Sequence, residues 1–171
     1  MIGDTSLTRR LYARQLCGLY NPYRYEAFRD LVNSTEDRLI VFYNFTEEME
    51  RLKGIVTAMN RPVSILSGEV KDLNAYQYQS NSVTFIQYQA GAMGGNFQKA
   101  NKIIYFSLPQ GWELGEQSQQ RNHSMGQERP CFYYLLICPG TVEEDILTTL
   151  QMRKDYNDEL FRKYEEKPER N

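Results

Sequence analysis

Short apolar segments alternate with polar, helix-prone segments along most of this 171-residue chain. Leu39–Tyr43 is an unbroken apolar and aromatic run, which is typical of a strand buried on both faces. The polar segment 46–52 that follows it predicts a capped helix. Further apolar runs, each followed by a polar segment, lie at 63–66, 82–88, 102–107 and 132–137. This alternation predicts an α/β fold in which a parallel sheet is covered by helices on both faces.

Two short helices are predicted ahead of the first strand, at 7–19 and 23–32. Asn21 and Pro22 separate them, because proline starts helices well and disfavours helical geometry in the residue before it. A further helix is predicted near 69–79, between the second and third apolar runs.

The last predicted helix is long and begins at a capping box, Thr-Val-Glu-Glu at 141–144. Val142, Ile146 and Leu150 form its apolar stripe. We therefore expect three parts along the chain: a helical linker over 1–36, an α/β lobe over 37–164 and a disordered tail over 165–171.

The amino-acid composition limits the classes of protein to which the chain can belong. With 41% hydrophobic and 25% charged residues, the chain can form one domain with a full core. The net charge of −2 provides no global positive field for a polyanion, so any nucleic-acid contact must be local. Cys17, Cys131 and Cys138 lack CxxC spacing, and no segment has the apolar length of a membrane span. We expect a cytoplasmic protein with reduced thiols and no membrane partner.

Polar and glycine-rich segments follow the predicted strands. They begin at Asn44, Ser67, Gln89 and Gln110. Because the carboxyl ends of parallel strands share one edge of the sheet, we expect these segments to lie together. Glycine there lets a backbone approach a ligand closely, and a following helix offers N–H groups to phosphate. The alternative is that the glycine-rich turn is only a tight connection between a strand and a helix.

A polar helix is predicted around Gln117, with Arg121 and Ser124 on the same stripe. Arginine suits a developing phosphate charge because its guanidinium stays protonated and offers a planar fork of donors. A solvated helix face would explain the stripe equally well. His123 is the single histidine and faces away from the stripe, so a catalytic triad and a histidine metal site have little support. Trp112 would stack on a base or fill a loop.

The order of these motifs resembles a known family. Four segments carry the resemblance: 39–45 as the fourth motif, 90–97 as the fifth, 117–127 as the sixth and 140–144 as the segment after the lobe. From about Asp37 to Leu160 the chain resembles the second RecA-like lobe of superfamily 2 helicases. Among these it is similar to Swi/Snf-type DNA translocases, and especially to bacteriophage-encoded members. The resemblance implies a three-layer RecA-like fold and, for a phage-encoded protein, the cytoplasm of a bacterial host.

The resemblance also implies residue roles. Arg121 would act in catalysis, with Ser124 at the place of the family's second arginine. The residues that would face the nucleotide are Gln117, Gly94 and Gln127. The residues that would face nucleic acid are Asn44, Ser67, Gly68, Ala90, Gly91 and Trp112. Their partner would be DNA, held through its backbone without sequence preference.

The catalytic parts of a first lobe are absent from the sequence. It contains no GxxxxGK[ST] loop and no acidic box after a strand, which would cradle phosphates and hold magnesium. We therefore expect ATP and Mg²⁺ to be bound mainly by a missing N-terminal RecA-like lobe, a second partner of this chain. The helices before Asp37 match the family's linking region, which suggests that Met1 starts a fragment. The isolated chain is expected to be inactive, and Ser124, a hydroxyl in place of a cation, leaves ATP hydrolysis undecided.

Two other functions remain open. The same fold would serve as a docking module for nucleic acid or protein after loss of catalysis, which Ser124 and the missing lobe both allow. An unrelated nucleotide-binding α/β domain would use the turn at 91–95 to hold a dinucleotide, but the GxGxxG spacing of such domains is absent.

Overall fold

The structure, a computed structural model, describes residues 6–91, 96–120 and 128–152. Its helices are α1 Ser6–Tyr20, α2 Pro22–Asn33, α3 Thr46–Ala58, α4 Asn74–Tyr78, α5 Tyr88–Gly91, α6 Trp112–Gln120 and α7 Val142–Gln151. Its strands are β1 Leu39–Tyr43, β2 Val63–Leu66, β3 Lys71–Asp72, β4 Val83–Gln87, β5 Lys102–Tyr105 and β6 Phe132–Leu135. The part of the last helix expected beyond Met152, and the expected tail over 165–171, lie outside the described residues.

The strands form one sheet in the order β3-β2-β4-β1-β5-β6. The strand β1 lies inside the sheet, pairs in parallel with β4 and β5, and has all its side chains buried. The strands β2 and β6 extend the parallel sheet on either side. The predicted α/β class, the parallel sheet and the five strands inferred from apolar runs are thereby confirmed.

The strand β3 was not predicted, and it pairs antiparallel with β2 at one edge of the sheet. Its residues, Lys71 and Asp72, are both exposed, so they carry no apolar pattern. A tight turn precedes β3, in which the Ser67 N–H donates to the Val70 carbonyl over 2.8 Å. The helix expected near 69–79 is consequently wrong at its start and is reduced to the short α4.

Three predicted strands are also shorter than their apolar runs. The run 82–88 ends as a strand at Gln87, where the chain turns into α5. The runs 102–107 and 132–137 end as strands at Tyr105 and Leu135. Their next residues, Phe106 and Leu136, still donate one backbone hydrogen bond each to the neighbouring strand. The apolar pattern therefore continues past the regular pairing because these residues stay packed.

Side chains of β1 alternate between two apolar clusters, one on each face of the sheet. Leu39, Val41 and Tyr43 join the cluster under α2 and α3. Ile40 and Phe42 join the opposite cluster, where the Phe42 ring stacks against those of both Tyr88 and Tyr105. The result is a three-layer arrangement of helices, sheet and helices, as a buried parallel sheet requires.

The N-terminal helices pack on this same core. Phe28 and Val32 of α2 are buried in the cluster beneath α3. On α1, the buried Arg14 donates to the Leu108 carbonyl over 2.9 Å, and Cys17 packs near α7. The described part of the expected 1–36 linker thus contributes side chains to the core of the lobe.

Arg61 stabilises the end of the sheet at which the parallel strands begin. Its guanidinium donates to four carbonyls, at distances from 2.6 to 3.0 Å: those of Val32, Thr35, Asp37 and Asn81. Arginine suits this position because its five donors point in fixed directions. None of the described helices is long and apolar enough to cross a membrane.

Candidate nucleic-acid interface

Hydrogen bonds connect the segments that follow β1, β2, β4 and β5 along one edge of the sheet. Gln87, at the end of β4, donates through Nε2 to the Asn44 carbonyl over 3.3 Å. Its Oε1 accepts from the Gly68 N–H over 3.4 Å. Asn44 in turn contacts Ser107, which follows β5. Of the four segments predicted to meet, these hydrogen bonds connect the two that begin at Asn44 and Ser67, through Gln87.

Asn44 is the centre of this edge. Its side-chain Nδ2 donates to Ser107 Oγ over 2.9 Å and to the Leu108 carbonyl over 2.8 Å. Its backbone N–H lies 3.1 Å from both Ser107 Oγ and Glu48 Oε2. An amide nitrogen carries two hydrogens, so both of those on Nδ2 have acceptors within the protein. As the edge is arranged, Asn44 offers nucleic acid an amide oxygen and no spare side-chain donor.

Glu48 lies directly beneath Asn44, on the first turn of α3. The helix has no side-chain cap from Phe45, and Glu48 Oε2 instead accepts the N–H groups of Asn44 and Phe45 at 3.1 and 3.2 Å. The same oxygen accepts the Ser107 hydroxyl over 2.8 Å. The side chain is fully buried, and its Oε1 has no hydrogen-bond partner. The sequence pattern did not single out this carboxylate.

Burial raises the pKa of Glu48 above its usual value. The N–H groups and hydroxyl bound by Oε2, together with Arg24 of α2, act in the opposite direction and are weaker. Arg14 of α1 also interacts favourably with this carboxylate. The folded protein therefore holds a proton at Glu48 at pH values where the unfolded chain has released it.

This raised pKa predicts a pH dependence of stability. The contribution of Glu48 to the free energy of unfolding is complete below the unfolded pKa of 4.5 and is lost as pH rises through the folded pKa. Relative to Glu48→Gln, the unchanged protein should lose stability as pH rises above about 4.5. Urea unfolding at several pH values measures this difference. Glu47→Gln, at an exposed glutamate of the same helix, should keep the unchanged protein's slope.

Ser67 and Gly68 form an exposed turn between β2 and β3. Ser67 Oγ accepts the N–H groups of Glu69 and Val70 at 3.2 and 3.0 Å, which leaves its own hydrogen for an external acceptor. A side chain at Gly68 would meet only open space, and the Gly68 N–H makes the long contact to Gln87. The Ser67 hydroxyl is therefore more accessible to an external acceptor than the donors of Asn44.

Ala90 and Gly91 lie in the short helix α5 and not in an open turn. The Ala90 side chain is buried in the cluster that contains Phe42 and Tyr105. Any contact with nucleic acid at Ala90 would therefore come from its backbone. The Tyr88 hydroxyl anchors this helix by donating to the Ser107 carbonyl over 2.8 Å. Gly94 lies outside the described residues.

Gln117 is exposed on α6, which begins at Trp112. The next residue, Ser118, is buried, and its Oγ lies 2.9 Å from the Tyr105 hydroxyl. The half-buried Trp112 lines a cavity of about 440 Å³ together with Leu108, Pro109 and residues of α7. Arg121, Ser124 and Gln127 fall outside the described residues, so their predicted stripe with Gln117 stays a prediction.

A second buried network fixes the segments after β5 and β6. Arg24 of α2 and Glu143 of α7 form an ion pair of 2.7 Å, with 2% and 4% of their side chains exposed. Arg24 also donates to the carbonyls of Phe106 and Leu136, and Glu143 accepts the Cys138 N–H over 2.8 Å. No local sequence pattern reveals this pair, because the arginine and the glutamate lie 119 positions apart.

The described residues include no group of three or more histidine, cysteine or acidic side chains that could hold a metal ion. This agrees with the chemistry of the edge, where amides, hydroxyls and backbone groups predominate. Glu48, the carboxylate that accepts from Asn44 and Ser107, is fully buried and already shared among protein donors.

No family model matches the chain. The chain is 22% identical over 134 residues to DNA repair and recombination protein RDH54 of Saccharomyces cerevisiae, covering 74% of this chain and 14% of that protein. It is 25% identical over 132 residues to chromatin-remodeling ATPase INO80 of Homo sapiens, covering 73% of this chain and 8% of that protein. The chain thus spans a small part of these relatives.

A solved structure, the C-terminal part of the Fun30 ATPase domain, has the same fold. It matches with a TM-score of 0.67 at 20% identity, over 77% of this chain and 45% of that one. The mixed α/β class inferred from the apolar runs is therefore confirmed by an independent structure. Sequence and fold together support a likeness to the C-terminal lobe of Swi/Snf-type ATPases.

Proposed function

We propose that this chain is the C-terminal lobe of an ATP-dependent DNA translocase or helicase of the Swi/Snf type. The observation that carries the proposal is the edge at which the segments after β1, β2, β4 and β5 meet, on a fold shared with the C-terminal part of the Fun30 ATPase domain. Similarity to RDH54 and INO80 supports the same function. A bacteriophage origin and a cytoplasmic location stay predictions.

The proposed DNA contacts are made to the backbone. Ser67 provides an accessible hydroxyl, which suits a phosphate oxygen, and Gly68, whose N–H already donates to Gln87, would let the DNA backbone approach closely. Asn44 and Gln87 would order this edge, while the buried Ala90 and the helix end at Gly91 would support it from beneath. Such contacts carry no base information, so binding should show little sequence preference. Trp112 is a further candidate for the nucleic-acid face.

ATP and Mg²⁺ would be bound mainly by a first RecA-like lobe. The described residues of this chain offer the exposed Gln117 amide on α6, which suits a polar contact with a nucleotide. Gly94, Arg121, Ser124 and Gln127 are proposed for the same face by the resemblance alone. When bound, ATP would supply the free energy of translocation.

The test is complementation. The chain joined to an N-terminal RecA-like lobe should hydrolyse ATP in a DNA-stimulated manner, while the chain alone should not. Duplexes of different sequence should stimulate equally, because the proposed contacts are to phosphates. DNA binding without hydrolysis in any two-lobe protein would favour the non-catalytic docking module. Absence of both DNA binding and hydrolysis would contradict the proposal.

A further inference from the structure

We propose that Glu48 is a positioning residue for the nucleic-acid edge, holding Asn44 and Ser107 in one arrangement, and that Gly18 of α1 fixes where its carboxylate lies. This inference rests on the proposed function, because it concerns the same edge. Glu48 itself is buried and would touch neither DNA nor nucleotide.

One carboxylate oxygen of Glu48 connects the ends of two strands. Glu48 Oε2 accepts from the backbone of Asn44 after β1 and from the hydroxyl of Ser107 after β5. Ser107 Oγ accepts in turn from Asn44 Nδ2 over 2.9 Å. A displacement of this oxygen would therefore disturb both segments together. A methionine at position 48 would fill similar space without accepting these hydrogens.

Hydrogen bonds also connect Asn44 with the turn after β2. Gln87 donates to the Asn44 carbonyl and accepts from the Gly68 N–H. The turn that holds Ser67, the proposed phosphate donor, thus lies next to Gly68, where a continuous series of hydrogen bonds that begins at Glu48 ends. Groups that contact phosphate must be held in place before binding to be effective.

Helices α1 and α3 are in close contact at Gly18 and Glu48. Glu48 Oε1 packs against Gly18, and a Cβ at residue 18 would overlap that oxygen. Glycine costs stability in a helix, yet at this position any side chain would force the carboxylate to move. Gly54 in α3 provides the matched comparison, because a Cβ there meets nothing within 4 Å. The seating of α1 therefore determines the position of the carboxylate beneath the edge.

The experiment separates positioning from simple loss of fold. The variants are Glu48→Gln, Glu48→Met and Gly18→Ala, with Glu47→Met and Gly54→Ala as controls. In the 171-residue chain, amide hydrogen exchange at Asn44 and Phe45 reports the geometry. In the two-lobe protein, ATP turnover is measured against DNA concentration. Partial unfolding lowers the maximal rate of ATP turnover. Displacement of Asn44 and Ser107 at the nucleic-acid edge instead raises the half-saturating DNA concentration.

Glu48→Met and Gly18→Ala should speed exchange at Asn44 and Phe45 and raise the half-saturating DNA concentration by roughly tenfold, the equivalent of about one hydrogen bond. Glu48→Gln retains an acceptor oxygen and should restore most of the affinity. Both controls should behave like the unchanged protein. Unchanged exchange in Glu48→Met, or faster exchange with unchanged DNA affinity, would overturn the positioning role. If the unchanged two-lobe protein shows no response to DNA, the proposed function fails first, and the inference with it.

Discussion

Replacing Arg24 with methionine is expected to lower the free energy of unfolding by about 3–5 kcal/mol. The substitution removes one partner of an ion pair that is almost fully buried, so the Glu143 carboxylate is left in the interior without its counter-charge. It also leaves the carbonyls of Phe106 and Leu136 without their guanidinium donor. Because these carbonyls follow β5 and β6, the loss of the guanidinium donor should destabilise the region where α2, α7 and the sheet meet.

Urea unfolding followed by circular dichroism measures the effect. Arg29→Met on the same helix is the matched control, since Arg29 is exposed, and it should change stability by less than about 0.5 kcal/mol. The double substitution Arg24→Met with Glu143→Leu should recover part of the loss, because no unpaired charge then remains inside. Equal stability of the Arg24 and Arg29 variants would show that the buried pair contributes little.

Replacing Arg121 with alanine in a two-lobe protein is expected to reduce DNA-stimulated ATP turnover by about a thousandfold or more. The resemblance places this guanidinium against the phosphates, where it would stabilise charge in the transition state and not in bound ATP. Steady-state turnover at saturating ATP and DNA is the measurement. Arg29→Ala, at an exposed arginine on α2, should leave turnover unchanged.

Ser124→Arg tests the same face in the opposite direction. If the family's second arginine is needed there, restoring a cation should raise turnover strongly, because a hydroxyl cannot supply that charge. No increase would mean that Arg121 alone suffices. Turnover that survives both Arg121→Ala and Ser124→Arg unchanged would remove the sixth motif from the proposed mechanism.

The sheet could be predicted because its signal is local and repeated. Each buried strand is a continuous apolar run such as Leu39–Tyr43, and burial on both faces permits little else. The strand β3 escaped prediction because two exposed, charged residues form it and pairing with β2 alone defines it. The start of the α4 segment was misplaced for the same reason.

The site was predictable in outline and not in its internal contacts. The common edge follows from the parallel topology of the sheet, so the sequence alone is enough to group Asn44, Ser67 and Gly68. Which of their donors stay free depends on distant partners: Ser107 occupies the Asn44 amide, and Glu48 lies beneath both. These contacts join positions 59 and 63 apart, so no spacing rule would have shown them.

The short β3 also has a consequence for behaviour at high concentration. Without β3, the unpaired backbone N–H and C=O groups of β2 could pair with a strand from another molecule, as exposed edge strands do. The two charged residues of β3 pair antiparallel with Ile65 and Leu66 of β2, and this strand is too short to continue the pairing outward. Proline substitutions that detach this hairpin should therefore promote self-association, visible as increased light scattering well before the core unfolds.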